Sequence, residues 1–182
     1  MHNCQGLECV CDGAGKYLGG YLIEGALNGI FMASYATFIE RVKDIHKFGA
    51  IQGHLGWDQE TIMPVKGSKS RSEIMSWLAK EQHTRITNSE FAEMIDTLES
   101  DNSLDDDQRA NVREVRRRYD KAVKLPSEFV AEFALARSQA LVAWQEARAE
   151  SDFAKFKPHL VKLVAMTNEK IDYYGVKDTR YD

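Results

Sequence analysis

The sequence predicts an all-α fold, a bundle of five or six helices joined by short connections, and three observations carry that expectation. Apolar residues recur every three or four positions through most of the chain from residue 34 onward. Only three prolines interrupt 182 residues, and no stretch sustains the β-branched alternation of strands. Cap-forming residues stand before several apolar stripes, and a glycine follows the last. With 43% hydrophobic and 29% charged residues, the chain has an ordinary globular composition and the length to bury a sizeable core. A formal net charge of −4 offers no electrostatic footprint for nucleic acid or an anionic membrane. No apolar run approaches the ~18 residues a membrane span needs.

The first 31 residues differ from the rest. They hold all three cysteines (Cys4, Cys9, Cys11) and seven of the twelve glycines. Met32-Ala33-Ser34 then reads as a translation start, so 1–31 is taken as an atypical extension and 32–182 as the domain. A secretory signal fits poorly, because Glu8, Asp12 and Glu24 spoil its pattern, and a transit peptide would carry arginine. His2 with the three cysteines matches no standard zinc-finger spacing. Beyond Met32 there is no cysteine, which fits a reducing compartment.

Each helix follows from its own pattern. Phe38, Val42, Ile45, Phe48, Ile51 (or Gln52) and Leu55 form one face of a long first helix over about 34–56. Gly49, Gly53 and Gly56 run along it as a second stripe, each costing about 1 kcal/mol against alanine. That cost implies close approach of another helix. After a turn at Pro64 and Gly67, Ser68 or Ser70 can cap a helix reaching about Ile86. Ser70 is the better candidate because its spacing to Glu73 is that of a capping box, and Ile74, Trp77 and Leu78 are expected to face inward. Thr87 with Glu90 reads as a second capping box before a short helix burying Phe91, Met94, Ile95 and Leu98. Ser103 and the acids Asp105, Asp106 and Asp107 open the next helix, with Val112, Val115, Tyr119 and Ala122 as its stripe. It stops before Pro126, which starts the fifth helix, anchored by Phe129, Phe133, Ala136 (or Ala140) and Trp144. Ser151 or Asp152 opens the last segment. Pro158 predicts a short turn over 153–157 and a helix from there to Tyr174, with Leu160, Leu163, Val164 and Ile171 on its apolar face and Gly175 as its stop.

The richest chemistry lies at 55–71, where the first helix gives way to the second. Trp57-Asp58-Gln59-Glu60-Thr61 packs an aromatic ring, two carboxylates, an amide and a hydroxyl into five residues. Asp58 and Glu60 are candidates for an acid/base couple. The plainer reading has them satisfying backbone donors at the turn or pairing with Arg71, while Trp57 plugs the core. His54 and Asp58, four apart, could pair on the helix, and the absence of a nearby nucleophile or third ligand makes that pair structural. His46 and His54 lie about 12 Å apart along the axis, too far to share one ion. His83 and His159 belong to no His-Glu-x-x-His pair. Arg113, Arg116, Arg117 and Arg118 share their helix with Glu114 and Asp120, so the face is mixed and solvated rather than a basic stripe.

Trp57-Asp58-Gln59-Glu60-Thr61, followed by Met63-Pro64, Gly67 and Arg71, resembles the signature near the start of the carboxypeptidase Taq family of metallocarboxypeptidases. The resemblance continues through Leu78-Ala79, His83, Thr87, Arg113-Glu114, Arg117, Tyr119-Asp120, Lys124-Leu125-Pro126, Trp144, Ala147-Arg148, Phe153, Phe156 and Leu160. It implies an almost wholly helical, cytoplasmic, zinc-dependent enzyme (cobalt can substitute). Such an enzyme removes C-terminal amino acids from peptides and commonly forms a homodimer. It also implies a longer protein, whose zinc ligands, a His-Glu-x-x-His helix and a later glutamate, fall beyond residue 182. No catalytic or metal-binding residue is therefore carried onto this chain, and none of its residues is expected to bind the metal. The signature residues are expected to be structural. The segment corresponds to the family's N-terminal helical region, inactive alone and helping to wall the substrate groove. The alternative is a non-catalytic helical protein-interaction module.

Overall fold

The computed structural model describes residues 34–175 and Thr179. The expectations for 1–31, including the cysteines and His2, lie outside the described residues. The fold class is the one the sequence predicts: six α-helices, with no strand among the described residues. They are α1 (Tyr35–Thr61), α2 (Ser68–Ile86), α3 (Ser89–Glu99), α4 (Asp106–Ala122), α5 (Ser127–Ala149) and α6 (Phe153–Tyr174). A single 3-10 turn, Val65–Gly67, joins α1 to α2.

Local chemistry sets most boundaries. Ser34 caps α1 by accepting from the Thr37 amide. Asp105 and Gln108 form a reciprocal capping box at α4, with Asp106 and Asp107 in the positive first turn. Four boundaries differ from expectation. α1 runs on to Thr61, past the end expected near Gly56, so Trp57 to Thr61 are helical. α2 starts at Ser68 directly from the 3-10 turn, so Ser70 lies inside the helix and caps nothing. Asn88, not Thr87, caps α3, its side chain accepting from the Glu90 amide; the Thr87 hydroxyl donates back to the His83 carbonyl instead. α6 begins at Phe153 and runs through Pro158 without a break. The missing proline N–H deprives only the Ala154 carbonyl, which lies in the exposed first turns where water can reach it.

Two apolar clusters hold the bundle. In the first, Phe38 and Ile45 of α1 meet Phe91, Ile95 and Leu98 of α3, closed by Leu104 and Val112. The rings of Phe38 and Phe91 stack 6.0 Å apart, both essentially inaccessible to solvent. Burying each such side chain contributes about 1.5–3 kcal/mol. In the second, Phe129 and Ala136 of α5 pack with Met166 and Leu163 of α6. Between them, α2 lies against α5 through small residues, so its contacts are partly polar: Ser72 is buried, and Ser76 Oγ donates to the Ala131 carbonyl at 2.8 Å.

Several apolar residues expected inside are outside. Trp57 is 63% exposed and Trp77 58%, with Ile74, Trp144, Leu160 and Val164 also exposed. Amphipathic spacing places them on apolar stripes, but no element lies across from those stripes among the described residues. The glycine stripe differs in the same way. A Cβ at Gly53 or Gly56 would meet nothing within 4 Å, so no helix approaches there; at Gly49 only the Gln82 side chain comes near.

Candidate functional site

The signature residues of 57–71 sit where α1 ends, and the chain uses them to fasten that end to α2 and α5. Asp58 terminates the helix: its carbonyl accepts from the amides of both Ile62 and Met63, at 3.1 and 2.9 Å. Its carboxylate takes a hydrogen bond from Arg71 Nη2 at 2.5 Å, and Arg71 Nη1 reaches the Leu55 carbonyl at the same distance. Arg71 is only 14% exposed and Asp58 30%, so the pair is shielded more than an ordinary surface ion pair. Thr61 Oγ1 donates to the Trp57 carbonyl at 2.7 Å. Pro64 then sets an extended backbone, its carbonyl accepting from Gly67, while Met63 packs near Gly67.

Gln59 is the buried member of the signature. Its amide nitrogen donates to the Ser138 carbonyl at 3.1 Å, and its amide oxygen accepts from Ser138 Oγ at 3.0 Å. Ser138 Oγ lies 2.9 Å from Ser72 Oγ, whose single proton is shared between Ser138 and the Ser68 carbonyl, also 2.9 Å away. One polar chain thus joins α1, α2 and α5, and no buried side-chain polar atom among the described residues lacks a partner. Ser72 and Ser138 were not singled out from sequence. The spacing of Ser72, Ser76 and Ala79 along one face of α2 was the available signal for a close helix contact.

Asp58 and Glu60 do not converge as an acid/base couple. Asp58 turns to Arg71, while Glu60 is exposed and faces a cleft of about 420 Å³ with Gln59, Ser138, Trp144 and Phe156. His54 is exposed and does not pair with Asp58, whose carboxylate the stronger cation takes. His83 is buried: Nε2 donates to the Ala122 carbonyl at 3.0 Å, and Nδ1 accepts from Ser127 Oγ at 2.9 Å. Since a carbonyl only accepts, the proton is on Nε2.

Arg116, Arg117 and Arg118 of α4 are engaged by carboxylates. Arg116 reaches Glu99 through Nε and Nη2 and also Asp96, bridging α3 to α4. Those partners, Glu99 first, hold its proton more tightly than usual. Arg117 and Arg118 both bind Glu114 and hold its carboxyl down to about 2.

No group of three His, Cys, Asp or Glu residues among the described residues converges to hold a metal. The arrangement around Gln59 and Arg71 locks helices together and shapes a cleft; it presents no nucleophile paired with a base.

The comparisons give the context for that arrangement. The sequence profile of the Carboxypeptidase Taq (M32) metallopeptidase family matches residues 37–182. Thermostable carboxypeptidase 1 of Thermus thermophilus is 32% identical over 143 residues, covering 77% of this chain and 28% of that protein. Carboxypeptidase 1 of Bacillus subtilis is 30% identical over 146 residues, covering 80% and 29%. Among solved structures, the BsuCP crystal structure superimposes with a TM-score of 0.78 at 29% identity, covering 81% of this chain and 30% of that one. Pyrococcus furiosus carboxypeptidase superimposes with a TM-score of 0.64 at 30% identity, with the same shares. The chain thus spans under a third of the length of these relatives. The profile match over most of the chain, carried by an all-α fold with the Trp57–Arg71 turn fastened into it, makes this protein a member of the carboxypeptidase Taq (M32) metallopeptidase family.

Proposed function

We propose that this chain is the N-terminal helical region of a zinc-dependent metallocarboxypeptidase that removes C-terminal amino acids from peptides. In this reading residues 32–182 form one wall of the substrate groove, residues 1–31 are an extension outside the family domain, and the metal is held by residues beyond position 182. Zinc, with cobalt as its substitute, would polarise the water that attacks the last peptide bond. The residues present contribute binding and orientation only, so the chain alone is inactive. The complete enzyme is a cytoplasmic homodimer in this reading; no described helix is long and apolar enough to cross a membrane.

The profile match over residues 37–182 supports this reading most strongly. The decisive experiment is the size and activity of the native protein. An antibody against the exposed Trp57 turn should detect a species much larger than 20.7 kDa, and that species should release C-terminal residues in a chelator-sensitive manner. A native species of 20.7 kDa without such activity would overturn the proposal.

The second reading is a non-catalytic interaction module. It is favoured by the solvent-facing apolar side chains of α6, Phe153 (61% exposed), Val161 (60%) and Val164 (53%).

A further inference from the structure

The cleft beside Gln59 continues in both directions along α5. It shares Trp144 and Phe156 with a second opening towards Phe153. In the other direction it shares Gln52, Ala134 and Arg137 with a third, of about 500 Å³. Among the α5 residues that line this path are Val130, Ala134, Arg137, Leu141, Trp144 and Arg148. Their spacing of four, three, four, three and four puts them on one helical face. The stripe covers about 27 Å at 1.5 Å per residue, the span of roughly eight residues of extended chain. Gln59 and Gly56 of α1 bound it on one side and Leu163 of α6 on the other. The space above Gly56 is open, since an added Cβ there would touch nothing.

The charge of this trough opposes that of the chain. The protein carries a formal −4, yet the fully charged side chains along the trough are Arg118, Lys121, Arg137 and Arg148 against the single carboxylate of Glu60. Arg137 and Lys121 make no side-chain hydrogen bond or ion pair with any described residue. Arg118 commits only Nε to Glu114, and Arg148 lies over the Trp144 ring, 5.5 Å from its centroid. Between the cations the surface is apolar, with Leu125, Val130 and Phe133 at one end and Trp144, Phe153 and Phe156 at the other. Cations spaced along an apolar floor complement a chain that alternates carboxylates with apolar side chains.

We propose that the α5 trough is a docking site for an acidic peptide segment about eight residues long, with leucine or aromatic side chains between its carboxylates. This rests on the peptide-binding reading above and adds to it a substrate class and a place of contact on this chain. Arg137 stands where two of the clefts meet and is the central contact, with Lys121 the second. Their preference for carboxylates would favour peptides acidic upstream of the bond that is cut.

The test is fluorescence anisotropy of the 182-residue chain with a labelled octapeptide alternating glutamate with leucine and phenylalanine, at low salt. Binding should be saturable, and the double variant Arg137→Glu, Lys121→Glu should weaken it at least tenfold. Replacing the peptide's glutamates by glutamine should weaken it to the same degree. The change Lys66→Glu, at an exposed cation outside the trough, should leave it unaltered. Far-UV circular dichroism checks that the surface variants remain folded. The proposal fails if no binding is seen, if the glutamine peptide binds equally, or if Lys66→Glu is as damaging as the trough variant. It fails too if an oligothymidylate binds as tightly as the peptide. A concentration-dependent dimer that Arg137→Glu abolishes would mean a second copy fills the trough instead, and would also overturn it. None of these readouts depends on catalysis, so a failed trimming assay and a failed docking assay remain distinguishable.

Discussion

Gln59 and Ser138, 79 positions apart in the chain, exchange two hydrogen bonds, one donated and one accepted by the same side-chain amide. A buried amide so satisfied specifies one register of α1 against α5, because a shift of one residue would leave both groups unpaired. Replacing Gln59 by leucine keeps the volume but removes both bonds and leaves the Ser138 hydroxyl with Ser72 as its only side-chain partner. The expected cost is about 2 kcal/mol, or roughly 4–8 °C in Tm. Thermal melts of Gln59→Leu, Ser138→Ala and the double variant should show coupling above about 0.5 kcal/mol. Strict additivity would show that the two residues do not act together.

Arg71 serves two acceptors at once, the Asp58 carboxylate and the Leu55 carbonyl. A flat guanidinium can do this; a lysine ammonium approaching from the same position reaches one of them. Arg71→Met should lower stability by about 1–2 kcal/mol, discounted for the partial exposure of Asp58. Arg71→Lys should recover less than half of that loss in urea titrations. Full recovery by lysine would assign the effect to charge alone.

These two relationships mark where the sequence could be read and where it could not. Helix identity was legible because periodicity and stops are local, as at Gly175, which sits at the boundary it sets. Caps were less so, since the boxes expected at Ser70 and Thr87 do not form and the one at Asp105 with Gln108 does. Burial was less legible because it needs a partner. Trp57, Trp77 and Trp144 satisfy the apolar pattern, yet no described element covers them. Gln59 misleads in the opposite sense. A polar residue in a polar run gives no sign of being buried until Ser138 arrives from another helix. Pro158 was overread, since a single lost hydrogen bond in the solvated first turns of α6 is a small penalty set against the packing of Leu163 and Met166.

Ser151 adopts a left-handed backbone, φ 54°, between α5 and α6. Its neighbours gain from it: the Asp152 amide reaches the Ala147 carbonyl at 2.8 Å, and the Ser151 amide reaches Arg148 at 3.3 Å, which together close a Schellman motif. A residue with a Cβ is strained there, by about 1 kcal/mol or somewhat more. Ser151→Gly should therefore raise Tm by roughly 2–4 °C. Ser151→Val should lower it, and equal melting of the two variants would remove the strain argument.

Glu114 gives a prediction in pH. Hydrogen bonds from Arg117 first and Arg118 second hold its carboxyl at about 2, against an ordinary 4.5. A lowered folded-state value means its contribution is present above the unfolded value and lost as pH falls through about 2. Carboxyl carbon NMR should show Glu114 titrating well below the exposed glutamates. Arg117→Ala should move it upward by more than Arg118→Ala does. A midpoint near 4.5 in the unaltered chain would show that the two arginines do not hold it in solution.

The exposed apolar residues lead to a prediction about association. Phe153, Leu160, Val161 and Val164 share one broad face of α6, and Trp57, Ile62 and Val65 crowd the end of α1. Side chains of this size scattered singly over a surface carry little meaning, but contiguous groups drive contact with another apolar surface. The 182-residue chain should sediment with a weight average that rises with concentration. Val161→Lys together with Val164→Glu should return it towards a monomer without lowering Tm, because neither residue belongs to the buried clusters. If the unaltered chain stays monomeric at all concentrations, these faces are too small or too divided to associate. If the α6 variant associates as strongly as the parent, the contact lies at the α1 end, where Trp57→Gln becomes the change that should abolish it.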